Sequence, residues 1–222
     1  MARTKITGTG LGLPTADGSA LGGASNEYSD LYLADSSIIY FGNDQDVTVT
    51  HDPDDGLFFK SIATADNNPF LLTLQTGETD IAADDVIGKI AFQAPDEGTG
   101  TDAILVSAAI QAIAEGDHSS SSNATSLVFM TGASEAAAAK VKITSAGHLM
   151  PTADDSYDLG SASLQWRNVY TGDLHLSNMT KDVGNSVDGT KGDWTIQEGA
   201  EDLFLLNNNS GKKYKFNLTE VE

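Results

Sequence analysis

The sequence predicts a mainly β chain assembled from small modular units of β-sandwich and β-hairpin type. Three observations carry this. Twenty-two glycines, with many Asp, Asn, Ser and Thr residues, punctuate short apolar runs, the composition of closely spaced turns between strands. Several of those runs alternate with a period of two, the spacing that puts every second side chain on one face of a strand. A short segment also occurs twice. Pro14, Thr15, Ala16, Asp17 and Ser19 return as Pro151, Thr152, Ala153, Asp154 and Ser156; after a one-residue shift, Leu21, Gly22, Ala24, Ser25 and Tyr32 return as Leu159, Gly160, Ala162, Ser163 and Tyr170. Five matches on each side of one shift mark an internal repeat.

Read in order, the chain begins with an N-terminal arm, 1–12, followed by the first repeat copy over 13–60. The central β domain covers 61–148, the second copy 149–180, and a C-terminal β-hairpin module 181–222. Strands are expected at 30–33, 37–41, 47–51, 56–61, 70–76, 88–93, 103–114, 126–130, 140–144, 168–170, 173–176, 194–198, 203–207 and 212–218. Within 103–114 the alanines favour a helix, whereas Ile104, Val106, Ala108, Ile110, Ala112 and Ala114 form a period-two face. The alternation favours a strand. The run 133–140 is short and helix-prone, and reads as a loop or single turn before the alternating KVKIT. In LFLLNNNSGKKYKFNL an apolar run, a turn through Asn208, Asn209, Ser210 and Gly211, and a second alternation spell a hairpin.

Each repeat spans about 40 residues, a size at which a chain buries too little apolar surface to stand alone without disulfides, metals or a partner. There is no cysteine, so disulfides are excluded and a partner chain is the remaining support. Twelve basic against 32 acidic residues give a net charge of -20. That sign disfavours nucleic acid, whose binding needs Lys and Arg to displace counterions, and it disfavours anionic membranes. No secretory signal or membrane-length apolar run is found, so a soluble chain made in a cytoplasm, without membrane insertion, is expected.

The chemistry-bearing residues form no recognised constellation. Asp44, Asp46, Asp52, Asp54 and Asp55 crowd one stretch, but the spacing of a calcium loop is not met and Pro53 interrupts it. They read as solvated turn acids, as do Asp154, Asp155 and Asp158. His51, His118, His148 and His175 include no pair at metal-ligand spacing. G-x-S-x-G does not occur, and GTGLG at 8–12 lacks the dinucleotide spacing. No catalytic residue, metal site or cofactor is expected. Leu21, Tyr28, Leu31 and Tyr32 in the first copy, with Leu159, Trp166, Val169 and Tyr170 in the second, read as repeat core or subunit contact in preference to a sugar-stacking platform.

DLGSASLQWRNVYTGDLHLSN resembles a recurring module of tail-fibre and related appendage proteins of tailed bacteriophages, including marine and cyanobacterial ones. The central stretch, with IGKIAFQA, AILVSAAIQAI and SLVFMTGASEAAAAKVKITSAGHLMP, is similar to fibre domains that often precede it. GDWTIQEGAEDLFLLNNNSGKKYKFNLTEVE is similar to end modules of the same proteins. The resemblance covers most of the chain and implies an elongated parallel homotrimer in a virion. Many relatives end in a self-cleaving chaperone, for which the chain leaves no room after its hairpin, so autoproteolysis is not expected. The length points to a short tail fibre or fibre adaptor, noncatalytic, contacting other virion proteins and a host surface glycan or protein. The basic arm with Arg3 and Lys5 is the candidate attachment end. A capsid decoration or head-fibre protein and a tailspike-type glycan hydrolase are the alternatives.

Overall fold

Turns that the sequence encodes set the strand registers. The structure, a computed structural model, describes residues 24, 25, 27–94 and 100–221. The expected N-terminal arm with Arg3 and Lys5, and Leu21 of the first repeat copy, lie outside the described residues. Among those described there are twelve strands and no helix, arranged in three antiparallel sheets. The chain divides into two units, Met1–Thr73 and Leu74–Glu222.

The first unit holds one three-stranded meander: β1 (Ile38–Phe41), β2 (Val47–Asp52) and β3 (Gly56–Ser61). Between β1 and β2 the Gln45 amide donates to the Gly42 carbonyl at 3.1 Å. Gly42 has φ +83°, and a Cβ there would stand 2.6 Å from the Asp46 carboxylate, so only glycine fits. Between β2 and β3 the Asp55 amide donates to the Asp52 carbonyl at 3.2 Å, across Pro53 and Asp54, whose φ is +68°. Proline followed by a left-handed residue is the pattern of a type II turn. Pro53 and its neighbouring acids are therefore turn residues.

The second unit begins with the central sheet, β4 (Val86–Gln93), β5 (Val106–Ala114), β6 (Thr125–Thr131), β7 (Ala138–Ile143) and β8 (Leu149–Pro151), ordered β4-β5-β6-β7-β8. The alanine-rich segment is strand β5, paired on both sides, so the ladder and the period-two pattern override the helix preference of its alanines. Its first three expected residues, 103–105, instead form a turn, with the Leu105 amide donating to Asp102 at 3.2 Å. The run after β6 is a loop over 132–137, and β7 starts at Ala138.

The second unit ends with β9 (Leu174–Ser177), β10 (Asp193–Glu198), β11 (Leu203–Asn207) and β12 (Lys213–Lys215), ordered β12-β11-β10-β9. The expected β11–β12 hairpin closes through Gly211, at φ +69°, with Asn207 and Lys212 joined at 2.9 Å. The Asn207 Oδ1 accepts from the Ser210 amide at 2.9 Å and fixes the turn.

Three expected strands are corrected. Residues 30–33, 70–76 and 168–170 are irregular. Apolar side chains alone do not make a strand; a ladder partner is also needed, and among the described residues none of these segments has one. Leu74 in the second segment instead passes over the central sheet at Gly88, where a Cβ would lie 2.9 Å from the Leu74 Cβ. Conversely β8 was not expected. It is short and contains Pro151, which is tolerated because β8 is an edge.

Candidate assembly surface

Cross-strand register sorts the side chains of the central sheet onto two faces. On one, Ile90, Ile110, Phe129, Val141 and Pro151 line up across all five strands, flanked by the row Gly88, Ala112, Leu127, Ile143 and Leu149. Phe92, Ala108 and Thr131 continue the same face. These rows contain no charged residue, in a chain with 12 basic and 32 acidic ones. On the opposite face Lys89, Gln111, Val128, Lys142 and Met150 form the corresponding row.

Burial runs opposite to chemistry. The mixed face is the better covered at its centre, with Ala109 3 %, Ser126 4 % and Val128 4 % exposed, while Met150 at its edge is open; on the charge-free face Ala114, at the end of β5, is buried. On the charge-free face Ile90, Phe92, Leu127, Phe129, Ile143 and Leu149 are all exposed, Phe92 to 54 % and Leu149 to 68 %. Burying an apolar side chain fully is worth about 1.5–3 kcal/mol, so covering these half-open six would yield roughly 4–9 kcal/mol per copy. A sheet with one apolar face ordinarily places a second layer on it. Within Leu74–Glu222, however, all substantial strand contacts are between hydrogen-bonded neighbours of a single sheet.

The other two sheets also leave apolar side chains exposed. In the C-terminal sheet Leu174, Ile196, Leu205 and Tyr214 share a row, and Leu174 and Tyr214 are exposed. The reverse face is mixed: Phe204 and Leu206 share it with polar side chains that are internally bonded. Thr195, 3 % exposed, lies 3.1 Å from the His175 Nδ1 and accepts from the Asn208 amide at 3.0 Å. Gln197 donates to Asp173 at 2.8 Å, and Lys215 pairs with Asp202 at 2.8 Å. In the first unit Ile39, Val49 and Phe59 align, and Phe59 meets Phe70 with ring centroids 5.7 Å apart. Ile38 and Phe58 are exposed on the other side of that sheet.

Four of the six sheet edges in the described residues, by contrast, carry protective features. The β4 edge has two register shifts and Lys89, β12 presents Lys213 and Lys215, β3 presents Lys60, and β8 ends in Pro151. Lysines, bulges and prolines at edges discourage strand addition.

The repeat residues lie in irregular segments. Tyr28, Leu31 and Tyr32 are 69, 67 and 91 % exposed; Leu159, Trp166, Val169 and Tyr170 are 72, 63, 67 and 92 % exposed. None is core within its own chain. In the second copy the Ser161 amide donates to the Leu164 carbonyl at 2.9 Å and closes a tight loop. Trp166 lies over Gly160, whose φ of +87° and close approach to the Leu164 carbonyl favour a glycine.

Two carboxylates have tuned environments. Glu115, at the end of β5, is pulled down to about 2 by hydrogen bonds from the Ser126 hydroxyl, the Ser145 hydroxyl and the Ser145 amide. The Ser126 contact is 2.5 Å and the Ser145 amide contact 2.9 Å. Glu115 thus ties the β7–β8 turn to the end of β5 and the start of β6. Asp188 is also lowered, first by the Thr190 amide, then by the Thr190 hydroxyl and the Asn185 side chain. Both are held by hydrogen-bond donors of neighbouring turns and strands. Among the described residues no group of three or more His, Cys, Asp or Glu is placed to hold a metal ion, and no helix is long and apolar enough to cross a membrane.

Comparisons with protein-family models, with curated proteins and with solved structures give no match. The sequence reading placed the repeat residues in a core or at a subunit contact and did not find the charge-free face of the central sheet. The signal was present in the alternation of β5 and of KVKIT.

Proposed function

We propose that this chain is a noncatalytic structural component of a phage virion, a short tail fibre or fibre adaptor, which works as a parallel homotrimer and contributes to host-surface attachment. The observation that carries the reading is the charge-free apolar face of the central sheet. Identical copies can meet on such a face without like charges opposing one another, although each carries a net charge of -20. The missing second layer of the central sheet is then supplied by neighbouring copies, giving the sandwich-like packing that this sheet lacks within its own unit. The guarded edges of the central sheet favour packing by faces over exchange of strands there.

The exposed repeat aromatics supply further subunit contacts in this reading, and the arm with Arg3 and Lys5 joins the trimer to an acidic neighbour in the particle. The resemblance of DLGSASLQWRNVYTGDLHLSN to appendage modules supports the virion setting. Gold-labelled antibody imaged by electron microscopy on purified particles tests it. Label on tail appendages is the expected result; label spread over the capsid would favour a head-fibre or decoration role, and particles without the protein would refute the virion reading. Incubation with host polysaccharide should leave chain length unchanged, and shortened products would contradict the noncatalytic role.

A further inference from the structure

Two loops and one end of the C-terminal sheet enclose a cup of about 550 Å3. Its floor is Leu176 and the half-buried Trp194, adjacent in register across β9 and β10. Its rim is polar and comes from the long loop between β9 and β10 and from the β11–β12 turn. Asn185, Asp188, Asn207 and Asn209 are the rim groups that matter.

The rim is preorganised. The Asn185 Oδ1 accepts from the amides of Val187 and Asp188, and its Nδ2 donates to the Asp188 Oδ1 at 2.7 Å. The same Asp188 oxygen also accepts from the Thr190 amide at 3.0 Å and hydroxyl at 2.8 Å. The Asp188 Oδ2, the Asn207 Nδ2 and the Asn209 Oδ1 have no partner among the described residues. Gly192 holds the indole in place, since a Cβ there would meet the Trp194 Nε1 at 2.9 Å. Tyr214 supports it with ring centroids 5.8 Å apart.

We infer that this cup is a binding subsite for a neutral, hydroxyl-rich saccharide unit. A flat indole offers a face to the C–H side of a pyranose ring. Side-chain amides and a carboxylate offer the paired donors and acceptors that neighbouring hydroxyls require, and an ionised acceptor strengthens those bonds. The volume falls in the range of small-ligand sites. Asp188 and Lys191 are the cup's single carboxylate and single ammonium, which leaves no surplus charge for an ionic ligand. The net charge of -20 disfavours acidic sugars. The inference rests on the proposed attachment role for the source of the sugar, a host-surface glycan.

Saturation-transfer NMR on the full-length protein tests it, using the methyl glycosides of glucose, galactose, mannose and N-acetylglucosamine, with N-acetylneuraminic acid as the anionic control. At least one neutral glycoside should receive signal, strongest on the ring protons of one face, while the control receives none. Trp194→Leu should abolish the signal. Asn209→Ala should weaken binding by about 3- to 10-fold; its amide contacts only the Met179 sulfur, at 3.6 Å, so the variant keeps the fold. No signal from any neutral glycoside, or signal that survives Trp194→Leu, overturns the inference. Light-scattering mass is measured alongside. A Trp194→Leu protein of altered mass identifies the cup as a contact between copies and also overturns it. Binding by a protein that proves monomeric supports the subsite while defeating the trimer reading.

Discussion

The two faces of the central sheet share a backbone and differ in what they ask of their surroundings. One has Lys89, Gln111 and Lys142 among its apolar residues and is the more covered. The other, carrying Ile90, Phe92, Leu127 and Phe129, holds no charge and stands open. A self-sufficient domain places its oily face inward, because that burial is the main favourable contribution to folding. The arrangement is the reverse here, and the proposed assembly accounts for it: what is surface on a single copy would be interior between copies.

Substitutions on the two faces should have opposite signatures. The largest effect is expected from Phe129→Asp on the open face, which would place a carboxylate from every copy at the assembly contact. Burying unpaired charges of one sign is prohibitive, so the light-scattering mass should fall to the 23.2 kDa of one chain. Val128→Ala on the covered face removes packed atoms within one chain. It should cost on the order of 2 kcal/mol of stability, read as a lower thermal midpoint, with the assembled mass unchanged.

Glu115→Gln tests the tie between the β7–β8 turn and the rest of the sheet. The folded-state value of about 2 lies below the ordinary 4.5, so the stabilisation is complete above pH 4.5 and is lost as pH falls from there through 2. The variant should be less stable than the parent at neutral pH, and the difference should shrink on acidification between pH 4.5 and 2, followed by circular dichroism. Lys89→Glu, exposed on the face that already bears charge, sharpens the contrast at the small end. It should change stability by no more than about 0.5 kcal/mol and leave the mass alone.

How much of this was legible in the sequence depends on how local the determining physics is. Strand β5 could be read through its alanines because Val106, Ala108, Ile110, Ala112 and Ala114 alternate. The β11–β12 hairpin could be read because Asn208, Asn209, Ser210 and Gly211 carry the turn chemistry themselves. Residues 30–33, 70–76 and 168–170 were misread because their apolar side chains suit a strand while the partner that makes one lies elsewhere in the chain or is lacking. Strand β8 was missed for the converse reason: Leu149, Met150 and Pro151 become a strand only by pairing with β7. Membership of the open face needed the registers of five strands at once. The cup could have been suspected from Asn185, Asp188 and Thr190, whose spacing is that of a self-bonded polar loop, but their proximity to Trp194 belongs to the tertiary structure.

The most direct test is the mass of the purified full-length protein at micromolar concentration, by light scattering, with its thermal unfolding followed in parallel. The account predicts three times 23.2 kDa and a melting temperature that falls on dilution, as mass action requires of an assembly whose copies complete one another. A 23.2 kDa particle that unfolds cooperatively at a concentration-independent temperature would contradict it.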